Sequence, residues 1–142
     1  MLLGCGREPS SGAQGIPFTD GTAQSGIAFE TTSGETPSTQ ILEVKGGGVA
    51  LIDHDEDGDL DVFVPNGATM ADPEHGPGCR LFENLGALKF RDATAAAGLT
   101  FRRWGIGVAV GDHDSDGHDD LYVTCYGPNA LLRSTGAGRF AG

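Results

Sequence analysis

Apolar residues along this chain come in short runs, three or four at a time, bounded by glycine or by acids. Val49-Ala-Leu-Ile52 and Val108-Ala-Val110 are entered from glycines. Val62-Phe-Val64 and Leu121-Tyr-Val123 are β-branched or aromatic. Runs of that length and type predict short strands. No long segment places apolar residues at helical spacing, and no run approaches the roughly 20 apolar residues of a membrane helix. The stretches "NLGALKF" and "STGAGRF" predict tight hairpins with glycine at the turn, each leading into a further strand. Residues 31–40 and 66–79 carry the turn formers and are expected to be exposed loops.

The pattern repeats. "GGGVALIDHDEDGDLDVFV" (Gly46–Val64) overlays "GIGVAVGDHDSDGHDDLYV" (Gly105–Val123) with 11 of 19 positions identical. "FTDGTAQSGIAF" (Phe18–Phe29) matches "FRDATAAAGLTF" (Phe90–Phe101), and "RLFENLGALKF" (Arg80–Phe90) matches "ALLRSTGAGRF" (Ala130–Phe140) more weakly. The unit is therefore about 60–70 residues with four short strands, which fits a propeller blade better than a sandwich. The expected architecture is all-β: a partial β-propeller of about two blades, 46–104 and 105–142, within a repeat region 16–142. The second blade is expected to be incomplete, because the chain stops at Phe140-Ala-Gly142 where "RDATAAAGL" should follow. The chain then reads as a piece of a longer array.

Charge sharpens this picture. The net charge is -11, from 20 acidic and 9 basic residues. "DHDEDGDLD" (Asp53–Asp61) holds six acids and "DHDSDGHDD" (Asp112–Asp120) five, with no Lys or Arg in either, so the acids and bases elsewhere balance. Such concentration argues against a diffusely acidic, disordered chain. Nucleic acid is excluded as a partner, since no basic stripe is left to meet phosphates.

Each acid loop reads D-x-D-x-D-G-x-x-D. Side chains at positions 1, 3 and 5 converge when the backbone curls, and Gly58 and Gly117 permit the sharp turn. Position 7, Asp59 or His118, would offer its backbone carbonyl, and Asp61 and Asp120 close the shell. A cluster of carboxylates with a carbonyl suits Ca²⁺ and not Zn²⁺, which prefers Cys and His. An EF-hand is rejected, because its twelfth position would be Val64 and Val123 and the flanks are strand-like. The competing interpretation is a solvated acidic turn; two loops with the same acids and glycine weigh against it. His54 and His113 would point away from the curl, and Glu56, Ser115 and Asp119 occupy outer positions.

The N-terminus, "MLLGCG", has the order of a bacterial lipoprotein cleavage box. Cys5 would then be the lipidated residue, ahead of a flexible tail within residues 1–15, with the true signal upstream of Met1. The alternative is a chance Leu-Leu-Gly-Cys in a tail. Cys79 and Cys125 could pair in an oxidising compartment; two separate thiols is the plainer expectation.

Together, "GxGVAxxDxDxDGxxDxxV" and "RLFENLGALKFRDATAAAGL" resemble the FG-GAP/VCBS repeat family, over about residues 16–142. Members are β-propellers, usually seven-bladed, with Ca²⁺ in a hairpin loop of each such blade; integrin α-subunits are relatives. The resemblance implies Ca²⁺ ligands at Asp53, Asp55, Asp57, Asp59 through its carbonyl, and Asp61. In the second loop it implies Asp112, Asp114, Asp116, His118 through its carbonyl, and Asp120. The Phe-Gly pair that names the family is Gly46-Gly47 and Gly105-Ile106 here. The function implied is a non-enzymatic, extracellular or periplasmic Ca²⁺-binding module for adhesion or scaffolding, with a protein or glycan ligand. No nucleophile, zinc-protease or phosphate-loop motif is present. The other classes are an accessory propeller segment of a larger secreted enzyme and a truncated, non-functional reading frame.

Overall fold

The computed structural model describes residues 19–35, 37–44 and 46–141. The tail, including Cys5, lies outside them. Eight strands form two four-stranded antiparallel meanders, ordered β1-β2-β3-β4 and β5-β6-β7-β8. The first sheet comprises β1 (Ala50–Ile52), β2 (Asp61–Val64), β3 (Arg80–Asn84) and β4 (Phe90–Asp92). The second comprises β5 (Gly105–Gly111), β6 (Asp120–Cys125), β7 (Ala130–Ser134) and β8 (Phe140–Ala141). The expected strands are all present, and the second sheet carries the same four as the first. The short runs cannot cover a sheet face alone, so the sheets bury their apolar sides together.

Register follows the repeat. Ile52 pairs with Asp61 and Gly111 with Asp120, so each acid loop closes a β-hairpin. One apolar cluster takes Ala50, Ile52, Phe63 and Leu81 from the first sheet and Leu121, Val123, Leu132 and Phe140 from the second. The inner strands approach closely: Gly48 N donates to Ile106 O at 2.7 Å. A Cβ on Gly48 would lie 3.2 Å from Gly107 Cα, so the close approach favours glycine at 48, while a Cβ on Gly107 would lie 2.8 Å from Thr124 Oγ1. By the repeat, Tyr122 corresponds to Phe63. Phe63 is fully buried against the second sheet, whereas Tyr122 is 45% exposed on a face that no described strand covers.

After β4 the chain forms turns rather than a strand, and Ala97 O accepts from Phe140 N at 2.9 Å. The Phe90–Phe101 element thus joins the first sheet to the outer strand of the second. Its counterpart makes a one-turn helix, α1 (Thr22–Ser25), that the apolar pattern did not predict. No described helix is long and apolar enough to cross a membrane.

The expectation of an exposed loop at 66–79 holds at 70–72, 74, 75 and 77 and needs correction at the two ends. Asn66, Gly67, Ala68, Gly76 and Gly78 are buried. The Asn66 side chain accepts from Thr32 N at 2.8 Å, and Asn66 O accepts from Gly105 N at 2.9 Å. Asn66 to Ala68 pack against the 30–34 segment and Gly76 and Gly78 against Phe101 and Arg102, so these turn formers serve close backbone approach while the middle of the loop stays solvated. Glu43, in the 3-10 turn Ile41–Val44 that follows the 31–40 loop, gathers backbone N–H groups from Thr39 at 2.6 Å, Gln40 at 2.8 Å and Glu35 at 3.2 Å. Cys79 and Cys125 are both free thiols, and burial pushes the Cys79 thiol up to about 12.

Candidate metal centres

The two acid loops fold alike because each acid organises backbone before it can hold anything else. Asp53 accepts from Asp57 N and Gly58 N, both at 3.1 Å, and Asp57 accepts from Asp59 N at 2.9 Å. In the second loop Asp112 accepts from Asp116 N and Gly117 N at 3.1 and 2.9 Å, and Asp116 from His118 N at 3.0 Å. Gly58 and Gly117 take φ of 91° and 92°, a region that favours glycine. Each curl brings its first three aspartates together. Asp53, Asp55 and Asp57 have carboxylate oxygens within 4.8 Å of one another, as do Asp112, Asp114 and Asp116.

The ninth-position acids sit behind these clusters. Asp61 is fully buried. Its Oδ2 accepts from His54 N at 2.9 Å and lies 2.6 Å from His54 Nδ1, and its Oδ1 accepts from Asn84 N at 2.7 Å. Asp120 repeats the arrangement with His113 N at 3.1 Å, His113 Nδ1 at 2.8 Å and Ser134 N at 2.7 Å. Burial alone would raise the Asp120 carboxyl, but the hydrogen bonds from His113 and Ser134 outweigh it and hold the group below the ordinary carboxylate value. These acids tie loop, second strand and third strand together. Asp59 and His118 leave the turn with their N–H groups on the fifth-position acid.

The motif spacing puts His54 and His113 away from the curl and does not disclose their pairing with Asp61 and Asp120. A histidine seven residues before an aspartate in both loops was the available signal.

The loops differ at position 3. Asp114 is paired with Arg133 of β7. At the corresponding place in β3 stands Glu83, whose two oxygens both lie 2.7 Å from Arg91 Nη2. Asp55 therefore faces an acid rather than a base. Its Oδ1 is buried, and among the described residues it is the one buried side-chain polar atom without a hydrogen-bond partner. Burial raises the Asp55 carboxyl above its ordinary value, and the charges of Asp57 and Asp61 push it further, against the opposing pull of His54.

An orphaned oxygen among converging carboxylates fits a hard cation, and both clusters can hold a metal. The residues best placed to hold it are Asp53, Asp55 and Asp57, and Asp112, Asp114 and Asp116. A bound ion would supply the positive charge that these acids lack.

Four-stranded meanders packed face to face, each with an acid loop closing its first hairpin, define a repeat protein of the β-propeller type. The FG-GAP-like repeat family matches residues 53–123, half of the 142-residue chain, and the chain belongs to that family. The match runs from the first acid of one loop to the strand that leaves the other. Comparison with curated proteins and with solved structures gives no match.

Proposed function

We propose that each acid loop holds one Ca²⁺ and that the chain is a non-catalytic, Ca²⁺-dependent module working outside the cell, in adhesion or scaffolding. The partnerless Asp55 Oδ1 carries this reading. Two unit charges about 4 Å apart repel by roughly 4 kcal/mol at an effective dielectric of about 20. Three carboxylates curled together oppose folding unless a cation sits among them, and its binding energy then adds to folding. Dissociation constants of about 10⁻⁴ to 10⁻³ M are expected, as in extracellular modules, so the sites fill only where Ca²⁺ is plentiful. Export, with Cys5 as the acylated residue, belongs to the same proposal, and a protein or glycan is the expected ligand.

The test is thermal unfolding of the whole chain in Ca²⁺, in Mg²⁺ and in EDTA. Ca²⁺ should raise the melting temperature over EDTA, and Mg²⁺ should do so much less because it demands a tighter octahedral shell. Three coincident curves would mean that the loops are solvated turns. Export is tested separately, by radioactive palmitate labelling in a bacterial host against a Cys5→Ser variant.

A further inference from the structure

The two acid loops share a motif and a hydrogen-bond pattern, yet they are not equally buried. Asp53 and Asp55 are half-buried, while Asp112, Asp114 and Asp116 are all exposed. The difference traces to what lies on top of each loop.

The tip of the β7–β8 hairpin, in the second sheet, rests on the loop of the first. A Cβ built on Gly138 would lie 3.3 Å from Asp55 Cβ and 3.5 Å from His54 Nε2. Gly138 has φ of 71°, within a turn that also holds Gly136 and Ala137 at positive φ. The corresponding β3–β4 hairpin has the same backbone, with Leu88 at φ 55° in the place of Gly138. Leu88 is 71% exposed, and the nearest approach of its turn to an acid loop is at Gly86, where a Cβ would lie 3.8 Å from Asp59 Oδ2 of its own sheet. A second contact joins the same partners: Glu56, on the rim of the first loop, is bonded to His118 of the second. Ser115 occupies the equivalent rim position and makes no such bridge.

We propose that Gly138 is a positioning residue for the first metal site, and that cation binding there is coupled to docking of the second sheet. This rests on the Ca²⁺ binding proposed above. The docked hairpin keeps water from Asp55, and in a drier surrounding a carboxylate attracts a cation more strongly and tolerates its absence less well. Binding and docking therefore favour each other reciprocally. Among the described residues no hairpin of a neighbouring sheet lies on the second loop, which meets only the Gly136 turn of its own sheet and Glu56, and Arg133 already meets its position-3 acid, so the first site should bind Ca²⁺ more tightly than the second.

The experiment is Ca²⁺ calorimetry on the full chain in two backgrounds. Asp116→Ala leaves the first site to be read alone, and Asp57→Ala leaves the second. Into each is placed Gly138→Asn, which adds bulk while tolerating a left-handed backbone, and separately Glu56→Gln, which removes the bridge without adding bulk. The proposal expects Gly138→Asn to weaken the first site about tenfold and the second less than about twofold, although residue 138 belongs to the second sheet. Glu56→Gln should weaken the first site in the same sense, and Leu88→Ala should change neither. Equal effects on both sites, or none on the first, would overturn the coupling and leave Ca²⁺ binding standing. Absence of heat in the Asp116→Ala background before any further substitution would remove both proposals, and absence in the Asp57→Ala background alone would remove only Ca²⁺ binding at the second loop.

Discussion

Asp61 Oδ1 lies 2.7 Å from the backbone nitrogen of Asn84, joining the end of the first acid loop to the third strand across 23 residues of chain. Asp120 makes the same 2.7 Å bond to Ser134 N. A buried carboxylate in this position is a structural tie whether or not a cation is bound in front of it. Asp61→Ala would strand the N–H groups of His54 and Asn84 and the ring of His54. The expected loss is about 3 kcal/mol of stability, and it should persist in EDTA. Asp57→Ala removes only an exposed turn bond to Asp59 N, so in EDTA it should cost well under about 1 kcal/mol, its effect appearing only with Ca²⁺. Urea unfolding of both variants with and without EDTA checks the contrast.

Arg133 is paired with Asp114, where it would compete with a bound cation. Their pairing is partly exposed, with side-chain accessibilities of 53% and 29%, so it is worth no more than about 1 kcal/mol. Arg133→Gln should therefore tighten Ca²⁺ binding at the second loop by up to about fivefold and leave the first unchanged. Calorimetry in the Asp57→Ala background reads this directly. Weaker binding in the variant would show that Arg133 supports the site instead.

Much of this was legible in the chain, and what was not has identifiable causes. The strands, the hairpins and the convergence of Asp53, Asp55 and Asp57 follow from alternation, turn residues and a motif that occurs twice. Asn66 was hidden because a Gly- and Pro-rich stretch looks the same whether it is solvated or pressed under another segment. Gly138 was hidden because its neighbour Asp55 is 83 positions away in sequence, and only sheet packing brings them together. The orphaned Asp55 Oδ1 depends on Glu83 standing where the second sheet has Arg133, a difference between repeats that an overlay of identities passes over.

Glu43 supplies a pH-dependent element remote from both loops. Hydrogen bonds from the backbone of Thr39, then Gln40 and Glu35, hold its carboxyl below the ordinary value of 4.5. A depressed acid contributes stability that is fully present above that ordinary value and is lost as pH falls through the lower folded-state value. Hydrogen exchange of the 34–44 segment should therefore accelerate, beyond the intrinsic rate change, as the pH is taken well below 4.5. In Glu43→Gln that acid-dependent step should vanish. An unchanged profile in the variant would place the acid sensitivity elsewhere.

Isothermal calorimetry with Ca²⁺ on the intact chain tests the occupancy of the two loops most directly. At free Ca²⁺ ten times the dissociation constant, each site should add about 1.4 kcal/mol of stability. The predicted result is two ions per chain, falling to one in Asp57→Ala and to one in Asp116→Ala, with the melting temperature lowered by roughly 5–10 °C when EDTA replaces Ca²⁺. No heat on titration, together with a melting temperature indifferent to chelation, would contradict it.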